Sequence, residues 1–228
     1  QARLYREVLQ SFLDEDVLEF PTREFQLSPV DASSKEQMQR RLQVLSRLLQ
    51  GDKPILVVSA PALLQPLPSL DVLKQNSVHL ALDVTFGPQE LGVKLEQMGY
   101  ERVPLTDAPG QFSLRGDIVD IFPIHKPKPE DIPLEEQLEN YGVRVSFFDR
   151  EIDQLRYFDP ITQRQVSNCS SITIPPAREI ILTTEEQAKL VEEIEKWGSV
   201  RAKELYQVGA NKARVEAFRV FLQADQEK

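Results

Sequence analysis

Two opposite charges inside an extended segment are the first candidates for chemistry in this sequence. The stretch GQFSLRGDIVDIFPI, from Gly110 to Ile124, is rich in β-branched residues but has Arg115-Gly116-Asp117 in its middle. A strand buried on both faces would not tolerate these charges, because an unpaired buried charge is costly. Either the charges lie on an exposed sheet face, or the arginine binds a partner, since its guanidinium can donate two hydrogen bonds to one carboxylate.

Motifs for catalysis and for phosphate binding are absent from the sequence. It contains no GxxxxGK(S/T) phosphate loop and no GxGxxG, GxSxG or HExxH pattern. Paired carboxylates such as Glu135-Glu136 are typical of solvated surfaces, because acid–base catalysis needs carboxylates held in a cleft. His79 is interpreted as a core or edge residue of a strand and His125 as part of a flexible loop. Together with the single Cys169 they make no metal-binding set, so we expect no catalytic residue, no cofactor and no metal.

The overall charge argues against a surface that follows nucleic acid over the whole molecule. The 228 residues include 27 Lys and Arg against 36 Asp and Glu, a net charge of -9, whereas nonspecific nucleic-acid binding needs clustered Lys and Arg. A local basic patch remains possible. One cysteine and the lack of a long apolar run favour a cytoplasmic protein. Because an amphipathic helical pattern is already present at Leu4, near the start of the sequence, we expect this chain to be a fragment of a longer protein.

The first 66 residues have the pattern of an α/β layer. Apolar residues recur every four positions from Leu4 to Phe12 and predict a first helix, and DVLEF predicts a short strand. A second helix is predicted to begin at a cap formed by Ser33 or Ser34 and to end at Gly51. The buried stripe of this helix is predicted to be Met38, Leu42, Leu45 and Leu49. The following PILVVSA predicts a strand buried on both faces of a parallel sheet.

Residues 67–178 predict a small α+β unit in which antiparallel strands dominate. SVHLALDV, YERVPL and SSITIPP predict strands, GPQELGVKLEQMG predicts a helix, and YGVRVSFFDREIDQLRYFD predicts a hairpin that turns at Asp149-Arg150. Residues 179–228 predict helices that return to the first domain: one capped at Thr183 and ended by Gly198, and a last one carrying Val215, Phe218 and Leu222.

Three segments together resemble the UvrB-homology region shared by UvrB and the transcription-repair coupling factors. They are GYERVPLTDAPGQFSLRGDIVDIFP, YGVRVSFFDREIDQLRYFDPITQR and ITIPPARE. The resemblance implies an α/β fold: an incomplete helicase-like parallel α/β layer with an inserted, mainly antiparallel α+β domain that binds UvrA. The long aromatic hairpin with which UvrB separates DNA strands is missing, which favours the coupling factors. In that family the ATP-driven motor and the polymerase-binding element lie elsewhere, so RNA polymerase and DNA would be reached only through other parts of the full-length protein.

The same resemblance nominates the residues that bind UvrA. Arg102 in YER and Arg115 in SLRG match arginines that UvrB uses, Ser113 stands where the family has another arginine, and Arg144 matches a further basic position. Alternation along a strand puts Ser113 and Arg115 on a solvent face, with Phe112 packed inward. Ser146 replaces an acidic residue of the family. The full candidate set is Arg102, Phe112, Ser113, Arg115 and Arg144.

Three functions are compatible with this pattern. The favoured one is a non-catalytic interaction module that binds UvrA and recruits nucleotide excision repair to stalled RNA polymerase. The second is a DNA-engaging, helicase-like domain as in UvrB, and the third is a structural clamp that holds a larger protein inactive. At the residue level, the alternative to partner binding is that Arg115 and Arg102 merely pair with Asp117 or Glu101.

Overall fold

The structure, a computed structural model, describes residues 2–23, 32–82, 84–125, 138, 140–182, 184–207 and 209. The chain divides into two compact units, Gln1–Ile180 and Ile181–Lys228. The mixed α/β class is confirmed, while the division at residues 66 and 178 remains a prediction. Among the described helices, none is long and apolar enough to cross a membrane.

The first elements form a small parallel layer. They are α1 (Ala2–Phe12), β1 (Val17–Phe20), α2 (Ala32–Leu49) and β2 (Ile55–Val58). The two strands pair in parallel, with Val17 opposite Ile55. The β2 strand is half-buried at all four positions rather than buried on both faces, and among the described strands β1 is its neighbour in a two-stranded sheet.

The start of α2 differs from its predicted start. The helix begins at Ala32, so Ser33 and Ser34 lie inside its first turn rather than at its cap. Of the predicted buried stripe, Leu42 and Leu45 are buried, whereas Met38 is 41% exposed.

A buried ion pair joins this layer to the chain segment after the last strand. Arg41 is fully buried and donates to the Glu179 carboxylate, with 3.0 Å from Nη2 to Oε2. Its Nη1 donates to the carbonyl oxygen of Pro21 at 2.6 Å, and its guanidinium lies 4.2 Å from the ring centroid of Phe20. Arg23 donates to the same carboxylate at 2.8 Å. The two ends of the first unit are therefore held together by charge-assisted hydrogen bonds.

Two short helices and a two-stranded antiparallel sheet follow. They are α3 (Ala60–Leu63), α4 (Leu70–Gln75), β3 (Val78–Ala81) and its partner strand β10 (Ser171–Ile174). Ser59 and Ser69 cap the two helices, each accepting a hydrogen bond from a backbone N–H of the first turn.

The largest element is a six-stranded sheet covered on one face by α5 (Pro88–Gln97). Its strands, in spatial order, are β4 (Glu101–Arg102), β5 (Gln111–Arg115), β6 (Ile118–Phe122), β7 (Gly142–Phe148), β8 (Glu151–Phe158) and β9 (Gln165–Asn168). The β4–β5 pair is parallel and the other pairs are antiparallel. Leu91 and Leu95 of the helix pack in one core with Phe112, Val119 and Val143 of the sheet.

Two predicted features of this region are different in the structure. Gly116 and Asp117 form a two-residue turn, so the charged residues lie at the end of a hairpin and not in the middle of one strand. His125 is 6% exposed and thus belongs to the folded unit rather than to a flexible loop.

The last helix also runs further than predicted. The α6 helix, Thr184–Gln207, continues through Gly198. A glycine inside a helix costs only about 1 kcal/mol, which does not by itself end the helix. The predicted cap Thr183 and the predicted last helix with Val215, Phe218 and Leu222 lie outside the described residues.

Candidate protein-binding surface

The sheet face opposite α5 carries a row of polar side chains across four strands. Ser113 of β5 lies opposite Asp120 of β6, which lies opposite Arg144 of β7, which lies opposite Arg156 of β8. Residues paired in this way project from the same side of a sheet. We call this side the outer face; Arg115 belongs to it by the alternation along β5.

Asp120 is the centre of the outer face. Its side chain is fully buried and accepts hydrogen bonds from Arg144 at 2.6 Å (Nε to Oδ1) and 2.9 Å (Nη2 to Oδ2). Arg115 donates to Oδ2 of the same carboxylate through Nη2. The hydrogen bond to Asp120 raises the pKa of Arg144, although partial burial acts in the opposite direction. One buried carboxylate thus fixes two guanidinium groups.

The outer face keeps an excess of positive charge that reaches solvent. The side chain of Arg115 is 50% exposed and that of Arg144 is 22% exposed. Arg156 is half-buried and donates to the neutral amide of Gln165 at 3.0 Å. Asp120 thus compensates two of these three guanidinium groups, and the third is held by a neutral amide, so this part of the surface favours a partner that offers carboxylates.

Of the predicted residues, Arg115 and Arg144 are brought together, whereas Arg102 is not. Arg102 is exposed on the edge strand β4, where it pairs in register with Phe112. Phe112 belongs to the core beneath α5, so Arg102 projects from the face opposite to that of Arg115. The two arginines predicted to act together lie on different sides of the sheet.

The prediction that Ser113 lies on a solvent face is wrong, because Ser113 is only 1% exposed. It lies on the outer face as expected, but at an end of that face that is covered, where Phe122 and Phe158 are also buried. Thr106, in the loop between β4 and β5, accepts a hydrogen bond from Gln163, which in turn accepts one from Arg144. This loop therefore lies over the end of the face to which Ser113 belongs.

Phe112 is 0% exposed, and its position supports the sheet from inside. A Cβ atom on Gly92 of α5 would lie 3.7 Å from its ring, which shows how closely the helix approaches. Phe112 consequently cannot touch a partner directly while the sheet is folded.

Sequence reasoning missed Asp120 as the partner of Arg115 and proposed Asp117 instead. The signal was present, because a two-residue turn at Gly116 and Asp117 pairs residue 115 with 118 and residue 113 with 120. Placing Asp120 on the same face as Arg115 would have followed from that register.

A cleft of about 960 Å³ lies between the parallel layer and the larger sheet. The arginines that line it are compensated by carboxylates, listed here as pairs: Arg3 with Glu7, Arg6 with Glu7, Arg40 with Glu36 and Glu19, and Arg47 with Asp16 and Asp52. His125 also lines the cleft; burial lowers its pKa to about 4, so the imidazole is neutral at pH 7. The described residues include no group of His, Cys, Asp and Glu that could hold a metal ion.

Comparisons with known proteins place the outer face inside a recognised domain. Residues 78–180 match the family described as the UvrB interaction domain, and these residues include all strands of the six-stranded sheet. Over 196 residues the chain is 35% identical to the transcription-repair-coupling factor of Bacillus subtilis (strain 168), which covers 86% of this chain and 16% of that protein.

Transcription-repair-coupling factors of staphylococci show similar identities and coverages. The chain is 30% identical over 192 residues to the transcription-repair-coupling factor of Staphylococcus aureus (strain bovine RF122 / ET3-1), covering 84% of this chain and 15% of that protein. The factor of Staphylococcus epidermidis (strain ATCC 12228 / FDA PCI 1200) is 29% identical over 194 residues, covering 85% and 15%. The chain thus spans about one sixth of the length of these curated relatives.

Proposed function

Because this chain belongs to the family of the transcription-repair-coupling factors and carries a UvrB interaction domain at residues 78–180, we propose that it is a non-catalytic module that binds UvrA. In the whole protein, this binding recruits nucleotide excision repair to stalled RNA polymerase. The ATP-dependent movement on DNA and the contact with polymerase belong to other parts of that protein.

The observation that carries the proposal is the shared carboxylate of Asp120. It holds Arg115 and Arg144 side by side on the outer face, where the Arg115 side chain is 50% exposed. A guanidinium already fixed by one carboxylate loses less side-chain entropy when it binds a second, which favours association. Arginines are also enriched among the residues that dominate binding energy.

The remaining candidates take different parts in this proposal. Arg115 and Arg144 contact UvrA directly, and Phe112 and Ser113 support the strand from which Arg115 projects. Arg102 lies on the other side of the sheet edge and contributes only if UvrA wraps around β4. The parallel layer of β1 and β2 is proposed to be an incomplete helicase-like domain, to which the chain returns after residue 178.

The test is binding of purified UvrA to this chain and to single variants. Arg115→Gln is preferable to a charge reversal, because a glutamate at this position would lie beside the buried Asp120 and destabilise the fold. We expect Arg115→Gln to weaken binding by about 10- to 100-fold, the loss of a charge-assisted hydrogen bond worth roughly 1.5 to 3 kcal/mol. Arg102→Gln, measured separately, shows whether the opposite face takes part.

Arg3→Gln is the matched control, since Arg3 is 68% exposed and also pairs with a carboxylate of its own chain. It should bind UvrA as the unsubstituted chain does. Failure of the unsubstituted chain to bind UvrA at micromolar concentration would refute the proposed function. Equal binding by Arg115→Gln and Arg3→Gln would instead refute the assignment of the outer face.

A further inference from the structure

An exposed phenylalanine lies at one corner of the outer face. Phe148 is the last residue of β7 and is 77% exposed, whereas its neighbour Phe147 is 7% exposed and lies 6.2 Å, centroid to centroid, from Phe86. Alternation along β7 places Phe148 on the same side as Arg144. No described core residue therefore needs the Phe148 ring for packing.

Phe148 lies at the same corner of the outer face as Arg115, with Ile118 and Ser146 between them. Ile118, 38% exposed, pairs in register with Arg115 on one side and with Ser146 on the other. Ser146 precedes Phe148 by two residues and lies on the same face. Phe148 is therefore a diagonal neighbour of Ile118 across the β6–β7 pair. We call Arg115, Ile118, Ser146 and Phe148 the corner patch.

Hydrogen bonds at this end of the sheet hold the corner patch in place. The backbone N–H of Phe147 donates to the carbonyl oxygen of Asp117 at 2.8 Å, which joins β7 to the turn before Ile118. Arg150, in the turn after Phe148, donates to both carboxylate oxygens of Glu90 at 2.9 and 3.1 Å. The Phe148 backbone is thus fixed between two anchored turns, and an aromatic group on a fixed backbone binds with little loss of conformational entropy.

We propose that the corner patch extends the contact with UvrA, with Phe148 as its apolar anchor. The partner surface that fits is an apolar pocket with carboxylates at its rim: the pocket receives Phe148 and Ile118, and the carboxylates pair with Arg115 and Arg144. This inference rests on the proposed function. It adds a hydrophobic contact to a surface otherwise characterised by charge, and aromatic residues and arginines are the types that concentrate binding energy at interfaces.

The experiment measures the dissociation constant of UvrA for this chain and three variants. Phe148→Ala should weaken binding by at least about tenfold without changing the urea midpoint of unfolding, because the side chain is exposed in the free protein. Phe148→Tyr keeps the ring and should retain binding. Val93→Ala is the control, since Val93 is also exposed, at 55%, but projects from α5 on the other side of the sheet.

Ionic strength separates the two kinds of contact. Raising the salt concentration screens exposed charges, so the loss of affinity caused by Arg115→Gln should shrink. The loss caused by Phe148→Ala should stay the same or increase.

The outcomes distinguish this inference from the proposal it rests on. If the unsubstituted chain does not bind UvrA, the proposed function fails and the inference fails with it. If the unsubstituted chain, Phe148→Ala and Val93→Ala all bind alike while Arg115→Gln binds weakly, the charged contact stands and only the corner patch is refuted.

Discussion

The carboxylate of Asp120 determines the geometry of the outer face, because two guanidinium groups share it. Its removal would leave Arg144, whose side chain is 22% exposed, beside Arg115 without a compensating charge. The residue that organises the outer face is itself fully buried and thus inaccessible to a partner.

We expect Asp120→Asn to lower the free energy of unfolding by about 2 to 4 kcal/mol, because breaking a buried ion pair leaves an unpaired charge. Asp117→Asn, in the exposed turn, should change it by no more than about 0.5 kcal/mol. Urea unfolding of both variants at pH 7 checks this. Similar stabilities of the two variants would mean that Asp120 holds no net interaction.

His125 should make stability depend on pH below neutrality. Burial lowers its pKa from the ordinary 6.5 to about 4, and in the described structure its Nδ1 has no hydrogen-bond partner. Between these values the unfolded chain binds a proton that the folded chain does not, so stability falls as the pH decreases from about 6.5 to 4. The loss between pH 7 and 5 is on the order of 2 kcal/mol for this residue.

His125→Gln removes this titration. We measure the free energy of unfolding in urea at pH 7 and at pH 5 for both proteins. The decrease between these two pH values should be about 2 kcal/mol smaller in the variant than in the unsubstituted chain, whatever the absolute stability of the variant. An unchanged difference would show that the His125 imidazole titrates normally.

The β5–β6 and β7–β8 hairpin turns both require a residue with positive φ, and only the first of them has a glycine there. Gly116 has φ of 60° and Asp149 has φ of 56°, each as the first residue of a two-residue turn. Only glycine adopts this conformation without steric cost. The β5–β6 turn is thus well matched to its sequence, whereas the β7–β8 turn is strained.

Substitutions at the two turns should have opposite effects. Gly116→Ala should destabilise the chain by about 1 kcal/mol through the backbone alone, because a Cβ there meets no atom within 4 Å. Asp149→Gly should stabilise it by up to about 1 kcal/mol. Thermal or urea unfolding measures both, and a loss of stability in Asp149→Gly would mean that the aspartate side chain supports the turn.

The elements that the sequence predicted well are those with local signals. The α5 helix with Pro88 in its first turn and the hairpin at Asp149-Arg150 follow from short patterns and were confirmed. The exposure of Phe148 and the burial of Ser113 were not predictable, because alternation along a strand does not show that a loop covers one end of a sheet face and leaves the other end open. Periodicity defines which side of a strand a residue occupies, but not what covers that side.

At the scale of the whole molecule, the distribution of charge argues against DNA as a direct partner. The net charge is -9, and the cleft arginines are paired with carboxylates of the same chain. The excess of guanidinium groups on the outer face is a small patch that suits carboxylates of a protein rather than a long row of phosphates.

We therefore expect this chain to bind duplex DNA no more tightly than the roughly 10⁻⁴ to 10⁻⁶ M typical of nonspecific contacts at physiological salt. Fluorescence anisotropy with a labelled duplex measures this, with salt titration as the control for electrostatic binding. Submicromolar affinity would favour the DNA-engaging alternative.

The buried pair of Arg41 and Glu179 has a consequence for how the protein is made. The two residues are 138 positions apart, so the ribosome delivers the arginine long before the carboxylate that compensates it. Until then, closing the parallel layer around Arg41 would bury an unpaired charge, which is unfavourable. We therefore expect the layer that comes first in the sequence to be completed only after Glu179, near the end of the UvrB interaction domain, has been synthesised.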